Sequence, residues 1–318
     1  MTDLTAVAFA YSEVGYLCLE ELLKAGVSVQ ALFTCEDDPK EEQWFPSVAK
    51  LAEREGIPVY RPSRLGEEEY ALIRSLAPEA IFSFYYRSMI PERVLLLPPR
   101  GAFNIHGSLL PKYRGRACVN WAVLKGETET GATLHFMTKR PDGGDIVDRQ
   151  AVPILFTDTA LEVSRKVAEA ARLVLERNLQ SIAEGNPSRT PQREEEATLF
   201  GRRTPEDGRI DWHQSALEIY NLVRAVTHPF PGAFTTLKGR KLFLWKVLPG
   251  EGGEGPDPLP GAILSLSPFR VACGEGRLTI LSAQWEGEEE LPGEEAANGL
   301  SAGEVLGGGC SRAQSRGV

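Results

Sequence analysis

The sequence predicts an α/β fold: a Rossmann-like, doubly wound, mostly parallel sheet, followed by a small C-terminal β-barrel domain of OB-like type. Three observations support this. Short apolar runs at residues 6–10, 27–33 and 80–84 alternate with amphipathic helical stretches, as in a sheet covered on both faces. After residue 204 the pattern changes to short strands separated by Gly and Pro, which suits a small barrel. The length of 318 residues exceeds one ordinary domain.

The first strand, residues 6–10, turns at Gly15 into a helix whose apolar positions are Leu17, Leu19, Leu22 and Leu23, and Gly26 stops it. A strand at 27–33 follows, and strand, helix, strand implies a right-handed parallel crossover. That turn lacks G-x-G-x-x-G, so no dinucleotide site is expected there. An acidic loop carries Glu36, Asp37, Asp38, Glu41 and Glu42. Helix at 47–55, strand at 58–60, helix at 67–76 and strand at 80–84 come next, and Pro91 opens a short helix. A strand at 102–106 is broken by Gly107, and a helix spans 117–125. Strands at 132–138 and 146–152 lead to a long amphipathic helix over 161–184, ended by Gly185-Asn186-Pro187. The first domain therefore runs over 1–185, a polar linker over 186–203, and the second domain over 204–306. The second domain has a helix at 215–226 and strands at 233–236, 241–247, 261–266, 270–273 and 278–283. Residues 307–318 lack apolar pattern and read as a disordered tail.

Composition narrows the function. A net charge of −9 opposes a partner bound through phosphate neutralisation, so nucleic acid is not expected. No run of about twenty apolar residues and no leader peptide is visible, which predicts a cytoplasmic protein without membrane insertion. Cys18, Cys35, Cys118, Cys273 and Cys310 are scattered, with no C-x-x-C pair, so reduced thiols are expected and no zinc site. Cys118 reads as a packing residue. Oligomeric state stays open, a homo-oligomer included.

Chemistry concentrates in Phe103-Asn104-Ile105-His106-Gly107-Ser108-Leu109-Leu110-Pro111 and the following Lys112-Tyr113-Arg114-Gly115-Arg116. Strand alternation puts Asn104 and His106 on one face. An amide that donates to an oxyanion beside an imidazole that exchanges a proton suits acyl transfer. Downstream, Arg140-Pro141-Asp142-Gly143-Gly144-Asp145 offers a carboxylate, with the diglycine allowing a tight turn towards the histidine. Asp145 is the rival carboxylate. His135 reads as packed or hydrogen-bonded within its strand. Arg114 and Arg116 are suited to an anionic tail or a diphosphate.

With SLLP, YRGRA and GETETG at their spacings, the segment from Phe103 to Asp145 resembles the formyltransferases that use 10-formyltetrahydrofolate. The resemblance covers about residues 5 to 306 and includes Phe82-Ser83-Phe84-Tyr85-Tyr86-Arg87 and Phe200-Gly201-Arg202-Arg203-Thr204-Pro205. Within the family it runs to the branch that formylates UDP-4-amino-4-deoxy-L-arabinose for lipid A modification. The resemblance implies catalytic roles for Asn104, His106 and Asp142. For formyl-folate contacts it implies Ser88, Met89, Ile90, Arg116, Thr138, Lys139, Arg140, Pro141 and Asp142. It implies 10-formyltetrahydrofolate as co-substrate, a nucleotide-linked amino sugar as acceptor, and no metal.

Overall fold

The computed structural model describes residues 3–37, 39, 42–252 and 258–307. Asp38 and Glu41 of the acidic loop, Cys310, and the tail expectation for 308–318 lie outside the described residues. Backbone contacts divide the chain into two units. The first comprises Met1–Ala122, Thr128–Phe156 and Glu162–Arg202; the second comprises Val123–Glu127, Thr157–Leu161 and Arg203–Val318.

In the first unit the strands are β1 (Thr5–Ala10), β2 (Ser28–Phe33), β3 (Val59–Tyr60), β4 (Ala80–Phe84), β5 (Gly101–His106), β6 (Arg114–Gly115), β7 (Glu129–Phe136), β8 (Ile146–Pro153) and β9 (Leu199–Phe200). The helices are α1 (Ser12–Lys24), α2 (Val48–Arg54), α3 (Glu67–Leu76), α4 (Glu92–Leu95), α5 (Cys118–Leu124) and α6 (Ala160–Glu184), the last two shared across the unit boundary. Seven strands form one sheet in the order β3-β2-β1-β4-β5-β7-β8. Pairing is parallel from β3 to β5 and antiparallel from β5 through β7 to β8. The mostly parallel α/β architecture is thus the one the sequence predicts.

The apolar runs are buried because both sheet faces are covered. Val7, Phe9, Ala31, Phe33 and Ile81 pack with Ile73 and Leu95 on one side. A file of rings crosses β4, β5 and β7, with Phe82 stacked on Phe103 at 5.8 Å and Phe136 tilted against Phe103 at 4.8 Å. Burying each such ring contributes roughly 1.5–3 kcal/mol. This file fixes how β5, which carries Asn104 and His106, sits among its neighbours.

Of the polar linker expected over 186–203, residues 186–202 lie as a strap along the first unit. Ile146 and Thr190 exchange backbone hydrogen bonds at 2.8 and 2.9 Å. The Tyr113 N–H donates to Thr198 Oγ1 at 2.8 Å, and β9 pairs in parallel with β6. The Phe200 ring stacks on Tyr113 at 4.8 Å, and Trp121 Nε1 donates to the Gly201 carbonyl at 3.0 Å.

The second unit holds β10 (Ala233–Leu237), β11 (Arg240–Gly250), β12 (Ile263–Leu266), β13 (Phe269–Ala272), β14 (Arg277–Trp285) and β15 (Glu290–Pro292), with α7 (Ala216–Val226) and α8 (Gly293–Ala296). The strands form an antiparallel sheet in the order β10-β11-β14-β13-β12, with β15 on β14. Ser215 caps α7 by accepting from Glu218 N, and Glu218 returns the bond, a capping box that starts the helix where the sequence places it. Arg224, buried on α7, donates to the Asp158 carbonyl at 2.9 Å and the Val123 carbonyl at 3.4 Å. These bonds join the two short earlier segments to this unit.

Gly115 has φ +100°, and a Cβ there would lie 2.2 Å from the Phe200 carbonyl oxygen. Gly115→Ala should therefore open the β6–β9 pairing. The expected result is faster amide exchange and proteolysis within 186–202, with a stability loss of about 1–3 kcal/mol, measured by denaturant unfolding.

Candidate active site

The site is built on the carboxyl end of β5. Gly107 lets the chain leave the strand there, because a Cβ would sit 1.8 Å from the Tyr85 hydroxyl. His106 is 7% exposed. Its Nε2 donates to the Tyr113 carbonyl at 2.7 Å, which turns Nδ1 towards the Asp142 carboxylate at 3.5 Å, an ion-pair distance. Two residues earlier on the same face, Asn104 lies opposite His135 of β7. The imidazole, amide and carboxylate named by the sequence are thereby brought together.

His135, expected to be packed or hydrogen-bonded within its strand, is buried and bonded at both ring nitrogens. Its Nδ1 donates to the Phe136 carbonyl at 2.8 Å, leaving Nε2 to accept from Asn104 Nδ2 at 3.0 Å. Asp142 Oδ1 lies 3.8 Å from that Nε2. Burial pushes the His135 imidazole down to about 4, against an opposite pull from Asp142. The neutral ring therefore accepts from the Asn104 amide and fixes its orientation. The antiparallel β5–β7 register brings the pair together, a long-range fact with no local sequence signal.

Asp142 sits in a left-handed conformation, φ +53°, which Asp tolerates better than most residues. The turn expected from the diglycine is therefore made by Asp142 itself. Gly144 answers a different need: a Cβ on it would lie 1.9 Å from the Phe136 carbonyl oxygen. Asp142 Oδ2 accepts from the Gly115 N–H at 2.9 Å. Asp142 is thus the carboxylate that faces His106, while Asp145 lines a cavity that neither His106 nor Asp142 borders.

Of the remaining candidates, Ser88 is half-buried, Met89 is 65% exposed, and Ile90 is buried among Val94 and Leu95. Arg116, Lys139, Arg140 and Pro141 are exposed, and Thr138 Oγ1 donates to the Arg140 carbonyl at 3.0 Å. A cavity of about 350 Å³ is bounded by Leu95, Ala102, Phe136, Met137, Thr138 and Gly144. Among the expected folate contacts only Thr138 lines it. The Arg189 guanidinium stands 3.8 Å over the Phe136 ring beside it. Arg114, read from sequence as a possible anion ligand, is only 3% exposed and forks onto Glu194 at 2.9 and 2.9 Å, so that role is withdrawn. Arg114, with Arg140 second, draws the Glu194 carboxyl down to about 2. Burial raises the Cys118 thiol to about 12, in keeping with a packing residue. Among the described residues no group of three His, Cys, Asp or Glu could hold a metal, and no helix is long and apolar enough to cross a membrane.

His135→Phe should leave the half-buried Asn104 N–H without its acceptor and destabilise the fold by about 1–3 kcal/mol. Between the ordinary 6.5 and about 4, the unfolded His135 binds a proton that the folded ring does not. Wild-type stability should therefore fall on acidification through that window, by at most about 1.4 kcal/mol per pH unit, and the variant should lose that part of the slope. Urea unfolding from pH 7 to 4.5 measures both.

The family described as "Formyl transferase" matches residues 14–179, and "Formyl transferase, C-terminal domain" matches residues 202–301. Among solved structures, the N-formyltransferase from Helicobacter canadensis, in complex with folinic acid and dTDP-3-aminofucose, superposes with a TM-score of 0.67 at 20% identity, covering 87% of this chain and 98% of that one. WlaRD, a sugar 3N-formyltransferase in the presence of dTDP and 5-N-formyl-THF, gives 0.66 at 19% identity, over 91% and 100%. HypX from Aquifex aeolicus with tetrahydrofolic acid gives 0.62 at 20% identity, covering 93% of this chain, which spans only 47% of HypX. At such identities these likenesses speak for the fold. The matched families cover both units, and the chain belongs to the formyl transferase family.

Proposed function

We propose that this chain moves a formyl group from 10-formyltetrahydrofolate to the amine of a nucleotide-linked amino sugar. The observation that carries this reading is the His106 Nδ1 edge facing Asp142 at 3.5 Å, beside an Asn104 amide anchored on neutral His135. Folate ligands in three similar structures support the donor.

In this mechanism the sugar amine attacks the formyl carbon. The oxyanion that forms is held by the second Asn104 N–H and by the Nδ1–H that His106 carries once it has taken the amine proton, an interaction worth about 3–4 kcal/mol per donor in the transition state. The proton lost by the amine passes by way of His106 to the departing folate nitrogen as the carbon–nitrogen bond breaks. Asp142 stabilises the charged imidazole while it carries that proton. The products are the formamide and tetrahydrofolate.

For the acceptor we infer UDP-4-amino-4-deoxy-L-arabinose, serving lipid A modification, on the strength of the motif likeness from Phe82 to Arg87 and from Phe103 to Asp145. A dTDP-linked amino sugar is the second reading, supported by the dTDP ligands of two similar structures. Methionyl-tRNA fits an acidic chain of net charge −9 less well.

Purified protein offered 10-formyltetrahydrofolate with each acceptor in turn should release tetrahydrofolate fastest with the UDP sugar; a preference for methionyl-tRNA would overturn the acceptor. Asn104→Ala, His106→Ala and Asp142→Ala should each lower kcat by about 100-fold or more. Near-normal turnover by a folded His106→Ala protein would remove the mechanism.

A further inference from the structure

Gln192 lies in the strap, 50 residues beyond Asp142, and nothing in its local sequence marks it. Its Nε2 donates to the Asp142 carbonyl and to the Gly144 carbonyl, both at 2.7 Å. Its Oε1 accepts from Arg114 Nε at 3.1 Å and Nη2 at 2.7 Å. Two donors and two acceptor sites are all that a glutamine amide has, and each is used. Arg114 is itself held from its other edge by Glu194.

We propose that Gln192 is a positioning residue for Asp142: the amide braces the carbonyls on either side of Gly143 and so holds the Asp142 carboxylate against His106. A non-glycine residue at φ +53° needs its surroundings to hold it there. Two contacts do so, the Gly115 N–H on the side chain and Gln192 on the main chain. Only an amide of this length serves. A glutamate would present oxygens to two carbonyl oxygens, and a methionine would present no donor. The strap thereby supplies a part of the site that neither catalytic loop carries.

The functional consequence rests on the formyl-transfer reading above, so the test has one arm that depends on it and one that does not. In Gln192→Met and Gln192→Glu, kcat should fall about 10- to 100-fold, as for a misplaced catalytic group. KM for folate and for the sugar should stay within about threefold, because a displaced Asp142 removes transition-state rather than ground-state contacts. A merely structural role would lower the melting temperature and leave kcat per folded molecule within about twofold of wild type, and that result overturns the proposal. The second arm records the 15N resonances of the His106 ring nitrogens in histidine-labelled protein. The Nδ1 signal should move in both variants, and an unchanged signal overturns the proposal even if wild type transfers formyl to no acceptor offered. Should Gln192→Met fail to fold, Gln192→Glu reads the same quantities, and Glu194→Gln, at the exposed end of the chain of bonds, should give a smaller loss of the same kind.

Discussion

The antiparallel ladder between β5 and β7 is the constraint on which the rest of the site depends. Within an otherwise parallel sheet, it sets Asn104 opposite His135, and the loop that follows β7 then starts beside the strand that ends in His106. A parallel neighbour at this point would need a long crossover and would carry that loop to another place. A one-residue slip would turn both side chains to the wrong face. The file of rings Phe82, Phe103 and Phe136 opposes such a slip, since the same shift would break the ring contacts that join these strands. Packing and chemistry are thus tied to a single register.

Polar groups at the site are held by a connected set of hydrogen bonds. His135 is kept neutral by burial and satisfied at both nitrogens. Arg114, buried and always charged, is satisfied by Gln192 and Glu194, and this spares the interior an unpaired cation. The left-handed backbone at Asp142 costs energy in isolation and persists because main-chain and side-chain partners hold it from both sides. Order in the carboxylate therefore comes from groups remote in sequence.

Much of this was legible in the sequence and some was not. Alternation along Asn104-Ile105-His106 put the amide and imidazole on one face, and the short apolar runs gave the parallel strands, because both signals are local. Asp142 was reached through its motif, with Asp145 left as a rival. Only the three-dimensional loop shows which of the two faces His106. His135 could be placed on a strand but not paired, since pairing is a property of register between distant segments. The strap over residues 186–202 escapes the sequence for a related reason. Their composition is polar, the strand β9 within them is two residues long, and its partner β6 lies far earlier in the chain, so no periodicity betrays them. Arg114 shows the reverse error: a charge expected at the surface is absorbed by that same segment.

The strap also bears on where this chain can be cut or recombined. The long helix α6 ends at Glu184, which looks like a natural end for the first unit when only regular elements are counted. A fragment terminated there would keep the imidazole, the amide and the carboxylate, yet lack Gln192, Glu194 and the Phe200 ring that lies over Tyr113. A chimera that grafts a different C-terminal half onto this protein would have to retain residues through Arg202 to inherit an intact site.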